Sequence, residues 1–299
     1  MASPVEIIAR LMAEQMQKAD TPEDTAETST APADKPHTSA EIIRLPVWPE
    51  SVRGLPNTVL RSALFGAIKR GPRNFQQGRE VATIQGVKIL FTGPQLDQAD
   101  LDVWMQCLHL AKNEGMGCRI EFSFHSFLKS IGRANGGKNS EWLLNVFRRL
   151  IASAVEITDG KNTYLGPLIH HGKRNEETGY YAIEINPAIN ALFSDTGWTQ
   201  IEFDQRMALK RQPLAQWLHG FYSTHAQPYP IKVSTLHELC GSETKQMKHF
   251  RSELKKALGV LHELSGWEWQ IDDKDLVHIK KTPSASQQRH LTKKGKGTA

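Results

Sequence analysis

Apolar residues recur at intervals of three and four positions in several segments, which is the spacing of one face of an α-helix. Alternating apolar and polar residues in other segments predict strands that are buried on one side. From residue 45 onwards these patterns predict a regular series of elements. In the first half they are a helix over 57–68, a hairpin over 81–92, a helix over 97–113, a strand over 119–124, a short helix over 126–131, a Gly-rich turn over 132–138, a helix over 140–154 with Ser140 as its N-cap, and strands over 155–159, 164–170 and 180–186.

The second half repeats this order in a shorter form. Its predicted elements are a helix over 212–225, a strand over 229–233, a short helix over 234–240 ended by Gly241, a long helix over 242–265 with Ser242 as its N-cap, and a hairpin of 267–271 and 276–280. The shared order is helix, strand, short helix, turn, long helix and hairpin, which is that of a winged helix. We therefore predict an α+β fold with two winged-helix domains, over 45–200 and 201–282.

The two ends of the chain lack this organisation. Residues 4–18 carry an apolar stripe that predicts an amphipathic helix, although an isolated helix of that length is marginal in water. Residues 19–40 are rich in Thr, Ala, Pro and acids without apolar periodicity, so we predict a disordered linker. Residues 1–44 thus form an N-terminal arm without a core of its own. Residues 283–299 are predicted to be a basic, disordered tail.

Composition restricts the cellular setting. The 299 residues contain no apolar run near the roughly 18 residues that a membrane span needs, and no signal peptide is evident. Cys107, Cys118 and Cys240 have no CxxC spacing, which is typical of a protein of the reducing cytoplasm without a disulfide framework. We predict a cytoplasmic protein with no membrane partner.

The net charge of +5 conceals an asymmetry. Residues 1–50 hold four Lys or Arg against nine Asp or Glu and sum to −5, so the remainder holds 33 against 23 and sums to +10. An acidic arm on a basic body is typical of a nucleic-acid-binding protein. A basic surface that is merely solvated is the alternative that charge alone leaves open.

The predicted helix over 242–265 has two different faces. Met247, Phe250 and Leu254 begin an apolar stripe, and basic and amide residues fall largely on the other side. A recognition helix needs this design, because one side anchors in the core while the other offers donors to phosphates and base edges. An ordinary solvated face is the alternative, but the preceding short helix and the following hairpin favour DNA. The candidate contacts are Lys245, Gln246, Lys248, His249, Arg251, Ser252 and Lys255.

The first domain shows a weaker version of the same pattern. Its long helix and the turn before it provide basic and amide residues opposite an apolar stripe, and the loop LIHHGKRNEE adds two cations where a wing is predicted. The candidate contacts are Lys138, Asn145, Arg148, Arg149, Lys173 and Arg174.

Two patterns suggest enzyme chemistry, and we assign neither. The segment 132–139 approximates a phosphate-binding loop, but Asn139 lacks the hydroxyl and the segment follows a predicted helix rather than a strand. His170-His171 with Tyr180-Tyr181 suggests a nickase with metal-binding His and a Tyr nucleophile. Adjacent strand residues are expected to point to opposite faces, which argues against it. We therefore predict no catalytic residue, no metal site and no cofactor.

Two long stretches resemble the TrfA family of plasmid replication initiators. They are VWPESVRGLPNTVLRSALF over 47–65 and STHAQPYPIKVSTLHELCGSETKQMKHFR over 223–251, and the closing DDKDLVHIKK is also similar. The resemblance covers 47–281 and implies tandem winged helices that bind directly repeated iterons in double-stranded origin DNA. It further implies opening of adjacent AT-rich DNA, recruitment of the host initiator and replicative helicase, and a reading helix over 243–265. An inactive self-dimer that exchanges with a DNA-binding monomer is also implied.

This sequence departs from the family pattern in one feature. Family members often carry a pentapeptide of the Q-L-S-L-F kind before the Trp-Pro pair, which binds the sliding clamp. The ungapped equivalent is Ser39-Ala40-Glu41-Ile42-Ile43, which keeps the apolar pair and lacks the leading Gln. This argues against clamp binding through the segment.

The main hypothesis is therefore a non-enzymatic initiator of plasmid replication. A winged-helix transcriptional repressor is the alternative, and a rolling-circle nickase is the third. Two DNA-reading domains and an acidic arm favour the initiator, because one wing and one dimer interface suffice for a repressor.

Overall fold

Two hydrophobic cores organise the part of the chain that the structure describes. In this computed structural model, residues 45–296 are described apart from 85, 115–116, 118, 159, 161–162 and 194–196. The first core collects buried residues between Leu45 and Ile201, and the second collects those between Leu209 and Ile279. We call residues 45–202 module 1 and residues 203–296 module 2. The predicted helix over 4–18, the predicted linker and the clamp-like pentapeptide lie outside the described residues.

Module 1 is of mixed α and β structure, with one long helix at its centre. Its elements are β1 (Val52–Pro56), α1 (Asn57–Leu60), β2 (Phe65–Gly66), β3 (Phe75–Val81), β4 (Lys88–Pro94), β5 (Leu96–Asp97), α2 (Gln98–Ala111), β6 (Arg119–Ser123), α3 (Phe124–Ser130), α4 (Gly137–Ala152), β7 (Ala154–Thr158), β8 (Thr163–Gly166), β9 (Ile169–Arg174), β10 (Tyr180–Ile185), a 3-10 helix (Pro187–Leu192) and β11 (Trp198–Glu202). The helix α2 is largely buried, and Trp104 in its middle is fully enclosed.

Module 2 is smaller and has fewer strands. Its elements are α5 (Phe203–Ala208), α6 (Pro213–Ser223), β12 (Ile231–Lys232), α7 (Val233–Leu239), α8 (Met247–Ser265), β13 (Glu268–Ile271), β14 (Leu276–Lys280) and α9 (Ala285–Lys296). Among all the described helices, none combines the length and apolar character needed to cross a membrane.

The two modules share a sheet plan. In module 1 the strand before the short helix pairs with a hairpin in the order β6-β10-β9, and in module 2 the order is β12-β14-β13. All of these pairs are antiparallel. Module 1 inserts β7 and β8 before its hairpin, and they join β3 and β4 in a four-stranded sheet. Element order and sheet order therefore agree between two halves that share little sequence.

The start of module 1 differs from the sequence prediction. The helix expected over 57–68 ends at Leu60, and Phe65–Gly66 pairs in parallel with Leu96–Asp97. Leu64 and Ile68 are buried as expected, but from an extended chain. The reason is contact with module 2, where the Ala67 amide donates to the Cys240 carbonyl at 2.7 Å. Tertiary pairing thus overrides the helical spacing.

The first hairpin and both predicted serine caps also differ. The strand β3 begins at Phe75 rather than Val81, in a largely exposed segment that has no apolar alternation. Helix α4 begins at Gly137, so Ser140 lies inside it, and α8 begins at Met247, so Ser242 precedes it by a loop. The Ser242 hydroxyl accepts a hydrogen bond from the Thr244 amide within that loop. Serine hydroxyls bond to the backbone in loops as well as at helix starts, so the residue type alone does not identify an N-cap.

The C-terminal tail is ordered in part. Residues Ala285–Lys296 form helix α9, whereas the sequence predicted disorder. The Gln287 amide group donates to the Ser223 carbonyl at 2.7 Å, which attaches the helix to the end of α6. A helix that is attached through a polar side chain needs no apolar face, so its sequence shows no apolar periodicity.

The modules are joined by one buried guanidinium. Arg206 is fully buried and donates to Asp102 at 2.7 Å, to the Gln98 carbonyl and side chain at 3.1 Å, and to the Gln216 carbonyl at 3.2 Å. Gln216 also donates to the other Asp102 oxygen at 3.2 Å. A second junction forms where Arg61 donates to the hydroxyl and carbonyl of Thr224. Four of the five N–H groups of Arg206 are therefore hydrogen-bonded, and three of these bonds cross the module boundary.

Two histidines are enclosed at the core of module 2. Burial, with Arg206 and Lys281 adding to it, lowers the pKa of His219 to about 3. Burial, with Arg61 adding to it, lowers the pKa of His225 to about 4. Both imidazoles are therefore neutral in the folded protein near neutral pH.

These histidines make stability depend on pH. Unfolding raises their pKa to about 6.5, so below that value the unfolded chain binds more protons and folding stability falls as pH decreases towards the folded pKa values. At pH 5 His219 costs up to about 2 kcal/mol, from about 1.4 kcal/mol per pH unit. Urea denaturation at pH 7 and pH 5 should show a smaller loss for His219→Phe than for the wild type. An equal loss in both proteins, with exposed His125→Gln as control, would contradict this origin.

Candidate DNA-binding interface

Helix α8 presents a cationic face to solvent. Phe250, Leu254 and Leu258 are buried against the core of module 2, so the other side of the helix is open. The predicted contacts that are exposed on it are Lys248, His249, Ser252 and Lys255, and Lys256 is exposed beside them. The structure therefore brings these residues together on one surface.

The approach to α8 is also exposed. Lys245 and Gln246 lie just before the first turn rather than inside the helix, and both are exposed. Gln246 is the N-cap and makes no side-chain capping bond. Amide groups of the first turn consequently remain available to an external acceptor such as a phosphate.

Arg251 has a different environment from the other candidates. Its guanidinium forms a bidentate pair with Asp275, at 2.9 and 2.7 Å, in the turn between β13 and β14. The hydrogen bonds from Arg251 lower the pKa of the Asp275 carboxyl. Asp275 itself has a left-handed backbone with φ of 62°. The pair therefore attaches the hairpin turn to the second turn of α8.

In module 1, helix α4 holds two of the predicted contacts in exposed positions and a third, Asn145, in a half-buried one. Lys138 and Arg148 are exposed, and Arg148 donates to the Asn145 side chain at 2.9 Å. The N-cap is Gly136, which has no side chain to cap the first turn. As in α8, the basic residues and the uncapped helix start lie on the same element.

Arg149 points inwards, contrary to its expected role. It donates to the fully buried Asp100 at 2.6 and 3.3 Å, and only 16% of its side chain is exposed. Asp100 also completes a capping box at the start of α2 with Asp97. This fourth candidate of α4 therefore holds the helix against α2. No sequence pattern indicates that pairing, because the partners are 49 positions apart.

The hairpin β9–β10 carries the remaining candidates. Lys173 and Arg174 are exposed at the end of β9, where the sequence analysis had placed a loop. Arg174 pairs with Glu176 at 3.1 Å, and its guanidinium lies 5.7 Å from the ring centre of buried Tyr181. The two cations thus project from a strand end whose position the core fixes.

The same hairpin contradicts the expectation that His170 and His171 point to opposite faces of the sheet. His170 and His171 both lie beside Glu184, although adjacent strand residues were expected to diverge. A register shift opposite Glu184 explains this, because β9 there carries one residue more than β10. A carboxylate–histidine cluster therefore exists that spacing alone did not reveal. Tyr181, in contrast, is buried in the core as expected of one of the two Tyr.

A basic groove between the modules was missed by sequence analysis. It consists of a cleft of about 510 Å³ and an adjoining cleft of about 650 Å³ that share four lining residues. The first cleft reaches Asn139 and Trp142 of α4, and the second reaches His249 and Lys256 of α8. The cations lining this intermodule groove are Lys69, Arg70, Arg133, Lys210 and Arg211. The groove thus connects the two cationic helices.

The cations of the groove repel each other. Burial lowers the pKa of Arg133, and Arg70 and Arg211 lower it further. Burial likewise lowers the pKa of Lys210. Four acids line the groove: Asp97 pairs with Arg73, Asp102 with Arg206 and Glu253 with Lys69, and Glu243 is exposed.

The partners that these cations do have are mostly uncharged. The Arg133 guanidinium lies 3.3 Å from the ring centre of Trp142, and the Lys210 amine donates to the Gly132 carbonyl at 2.7 Å. Within the described residues, Arg70 and Arg211 form no ion pair. The groove is therefore suited to an anion.

The signal for the groove was present in part. Lys69-Arg70 and Lys210-Arg211 are basic pairs next to Gly or Pro, in segments that are 140 positions apart. Nothing local indicates that they converge.

Comparison with known proteins gives the family. Residues 30–281 match the family described as TrfA protein, so this chain belongs to the TrfA family. The plasmid replication initiator protein TrfA of Escherichia coli is 30% identical over 243 residues, which are 78% of this chain. Those residues are 63% of the relative, so the chain spans less than two thirds of that protein.

Comparison with solved structures shows that RctB has a related fold. Domains 2 and 3 of RctB give a TM-score of 0.50 at 14% identity, covering 75% of this chain and 98% of that one. The Pi initiator protein in complex with iteron DNA gives 0.46 at 11% identity, covering 60% and 89%. The likeness to RctB concerns the fold alone.

Adjacent arginines on α4 should behave differently when replaced. Arg149→Met leaves the Asp100 carboxylate buried without its partner, which should cost about 3–5 kcal/mol of unfolding free energy. Arg148→Met should change it by no more than about 0.5 kcal/mol, because Arg148 is exposed. Urea denaturation measures both. Equal effects would show that Arg149 does not hold α4 in place.

Proposed function

We propose that this protein initiates plasmid replication by binding iterons through two winged-helix domains, 45–200 and 201–282. The observation that carries the proposal is the repeated plan of the two modules. Each has a helix, strand, helix, helix and hairpin, with the same strand order in its sheet and a long helix whose outer face is cationic. Membership of the TrfA family supports the same function, because the relative from E. coli is a plasmid replication initiator.

The long helices α4 and α8 are the proposed reading helices. Their outer faces hold cations for phosphates and amide or imidazole groups for base edges. The proposed contacts are Lys245, Gln246, Lys248, His249, Ser252 and Lys255 in module 2, and Lys138, Asn145, Arg148, Lys173 and Arg174 in module 1. Arg149 and Arg251 serve as positioning residues, since their guanidinium groups are held by Asp100 and Asp275.

The intermodule groove supplies backbone contacts between the two reading helices. Its cations have no sequence-reading geometry in common, but together they attract phosphates without regard to sequence. In this arrangement the groove contributes affinity, and the helices contribute discrimination.

The proposed initiator acts without catalytic activity of its own. We propose that it also opens AT-rich DNA and recruits the host initiator and replicative helicase, a role consistent with membership of the TrfA family. Footprinting on the cognate plasmid origin tests the whole proposal. Protection of several direct repeats supports an initiator, and protection of a single palindrome contradicts it in favour of a repressor.

The reading role of α8 predicts a sequence-dependent loss. Lys248→Ala combined with His249→Ala should weaken iteron binding more than binding to a scrambled duplex, by about 1–3 kcal/mol for each contact that reaches a base. Fluorescence anisotropy at fixed salt measures both affinities, with circular dichroism as the folding check. As a matched control, Arg289→Ala in the tail helix should weaken both duplexes equally. Equal weakening by the α8 variant would move sequence reading to module 1.

The groove predicts a loss that is independent of sequence. Arg70→Ala combined with Lys210→Ala should weaken iteron and scrambled duplex by similar factors. It should also reduce the slope of log affinity against log salt by roughly 0.9 for each phosphate contact removed. Arg79→Ala, an exposed change on β3, is the control. A salt slope equal to that of the wild type would show that DNA does not use the groove.

We also propose that self-dimerisation competes with DNA binding, as in the family. The fraction of protein that binds an iteron should then fall when a stock is concentrated before rapid dilution into the assay. Titrating a dilute and a concentrated stock against a known amount of iteron DNA, under stoichiometric binding conditions, measures that fraction. The same active fraction in both would exclude an inactive dimer.

A further inference from the structure

Three metal-binding groups converge on the β9–β10 hairpin. Nδ1 of His170 lies 3.2 Å from Oε1 of Glu184, and Nε2 of His171 lies 3.4 Å from Oε2. One donor atom from each residue lies within 4.8 Å of the other two. The two imidazoles are exposed and the carboxylate is half-buried, so an ion from solvent can reach all three.

A β-bulge creates this arrangement. Glu184 pairs with His171, whereas the next residue, Ile185, pairs with Ile169. His170 is therefore the extra residue of β9, and the local twist of a bulge re-aims its side chain. In a regular ladder the two imidazoles would lie on opposite faces of the sheet. The bulge thus places two adjacent His beside one carboxylate.

The spacing fits tetrahedral coordination. Bonds of about 2.0–2.1 Å, as found for Zn²⁺ with imidazole and carboxylate, put neighbouring ligand atoms about 3.3–3.4 Å apart. Each imidazole nitrogen lies about this far from one Glu184 oxygen, His170 at 3.2 Å from Oε1 and His171 at 3.4 Å from Oε2, and one donor atom from each residue lies within 4.8 Å of the other two. Two His and one Glu also form a known zinc ligand set that leaves one position open.

We propose that His170, His171 and Glu184 bind one first-row divalent cation of the Zn²⁺ class. The imidazole and carboxylate donors favour such an ion over Mg²⁺ or Ca²⁺, which prefer oxygen ligands throughout. The bound ion replaces the negative charge of Glu184 with a net positive charge beside Lys173 and Arg174. Its open position takes water or a phosphate oxygen.

The three ligands are not among the proposed iteron contacts, although the site shares the β9–β10 hairpin with Lys173 and Arg174. Failure of the metal site therefore leaves the proposed function intact, and the converse also holds. The competing explanation is a simple His–Glu ion pair that holds the hairpin and takes no ion.

The hairpin of module 2 offers a matched control. His278 pairs with Asp272 at 2.9 Å there, which provides an imidazole and a carboxylate without a second imidazole. Since three donors are needed to hold the ion, His278→Ala should leave metal binding unchanged.

The test is metal titration of the full-length, chelator-treated protein. Calorimetry with Zn²⁺ should show one equivalent bound by the wild type and by His278→Ala, and Co²⁺ should give a tetrahedral visible spectrum in both. His171→Ala and Glu184→Gln should weaken binding at least as much as the roughly 10–100-fold cost of losing an outer-shell partner. Circular dichroism shows whether the variants fold, and Glu184→Gln keeps the side-chain shape. Absence of binding to the wild type, or equal binding by all four proteins, would overturn the proposal.

Discussion

The burial of the Arg206 guanidinium is the constraint on which the arrangement of the two modules depends. Removing such a charge from water costs several kcal/mol, and only a nearly complete set of partners offsets that cost. Those partners come from α2 in module 1 and α6 in module 2. The two helices therefore cannot separate without leaving both Arg206 and Asp102 unpaired. The walls of the intermodule groove include Gln98, Asp102 and Gln216, so the same network shapes the groove.

Helix α2 extends this principle to α4, the first of the two proposed reading helices. Its first turns carry three buried acids, and each is paired with an Arg from a different part of the chain: Asp97 with Arg73, Asp100 with Arg149, and Asp102 with Arg206. Acids at a helix start are also favoured by the helix dipole. One capped, acidic helix start thereby orients α4 and attaches module 2. Arginines that this helix engages are withdrawn from any DNA surface, whereas Arg148 on the same helix α4 stays outside.

Local pattern predicted module 2 well and module 1 less well. The boundaries of α6, α7, β13 and β14 lie within a few residues of those expected, because each element buries one periodic face in a small core. The expected helix over 57–68 failed because its second half pairs with Leu96–Asp97 and contacts Cys240. Strand β3 escaped detection because an exposed strand has no apolar alternation. The general lesson is that periodicity reports burial within an element and not its partners.

The same distinction applies to the candidate site residues, because some depend on burial within one element and others on distant partners. Which helix carries the exposed cations was predictable, since an apolar stripe defines the opposite face. Which guanidinium groups are held by an acid was not, because Arg149 and Arg251 look like their neighbours in sequence and differ only through pairing with Asp100 and Asp275. The groove and the cluster at Glu184 were beyond sequence reasoning for related reasons. The first needs convergence of loops 140 positions apart, and the second needs a single extra residue in one strand.

The direct succession of β11 and α5 has a geometric consequence. Strand β11 closes module 1 by pairing with β1 and ends at Glu202, and α5 begins at Phe203, three residues before Arg206. The chain therefore crosses between the modules with no linker residues between strand and helix. The two proposed reading helices are therefore held at one fixed distance and one fixed rotation relative to each other. Since each base pair turns B-DNA by about 34–36°, a duplex with one base pair added between the two contacted segments would present its second groove on the wrong side.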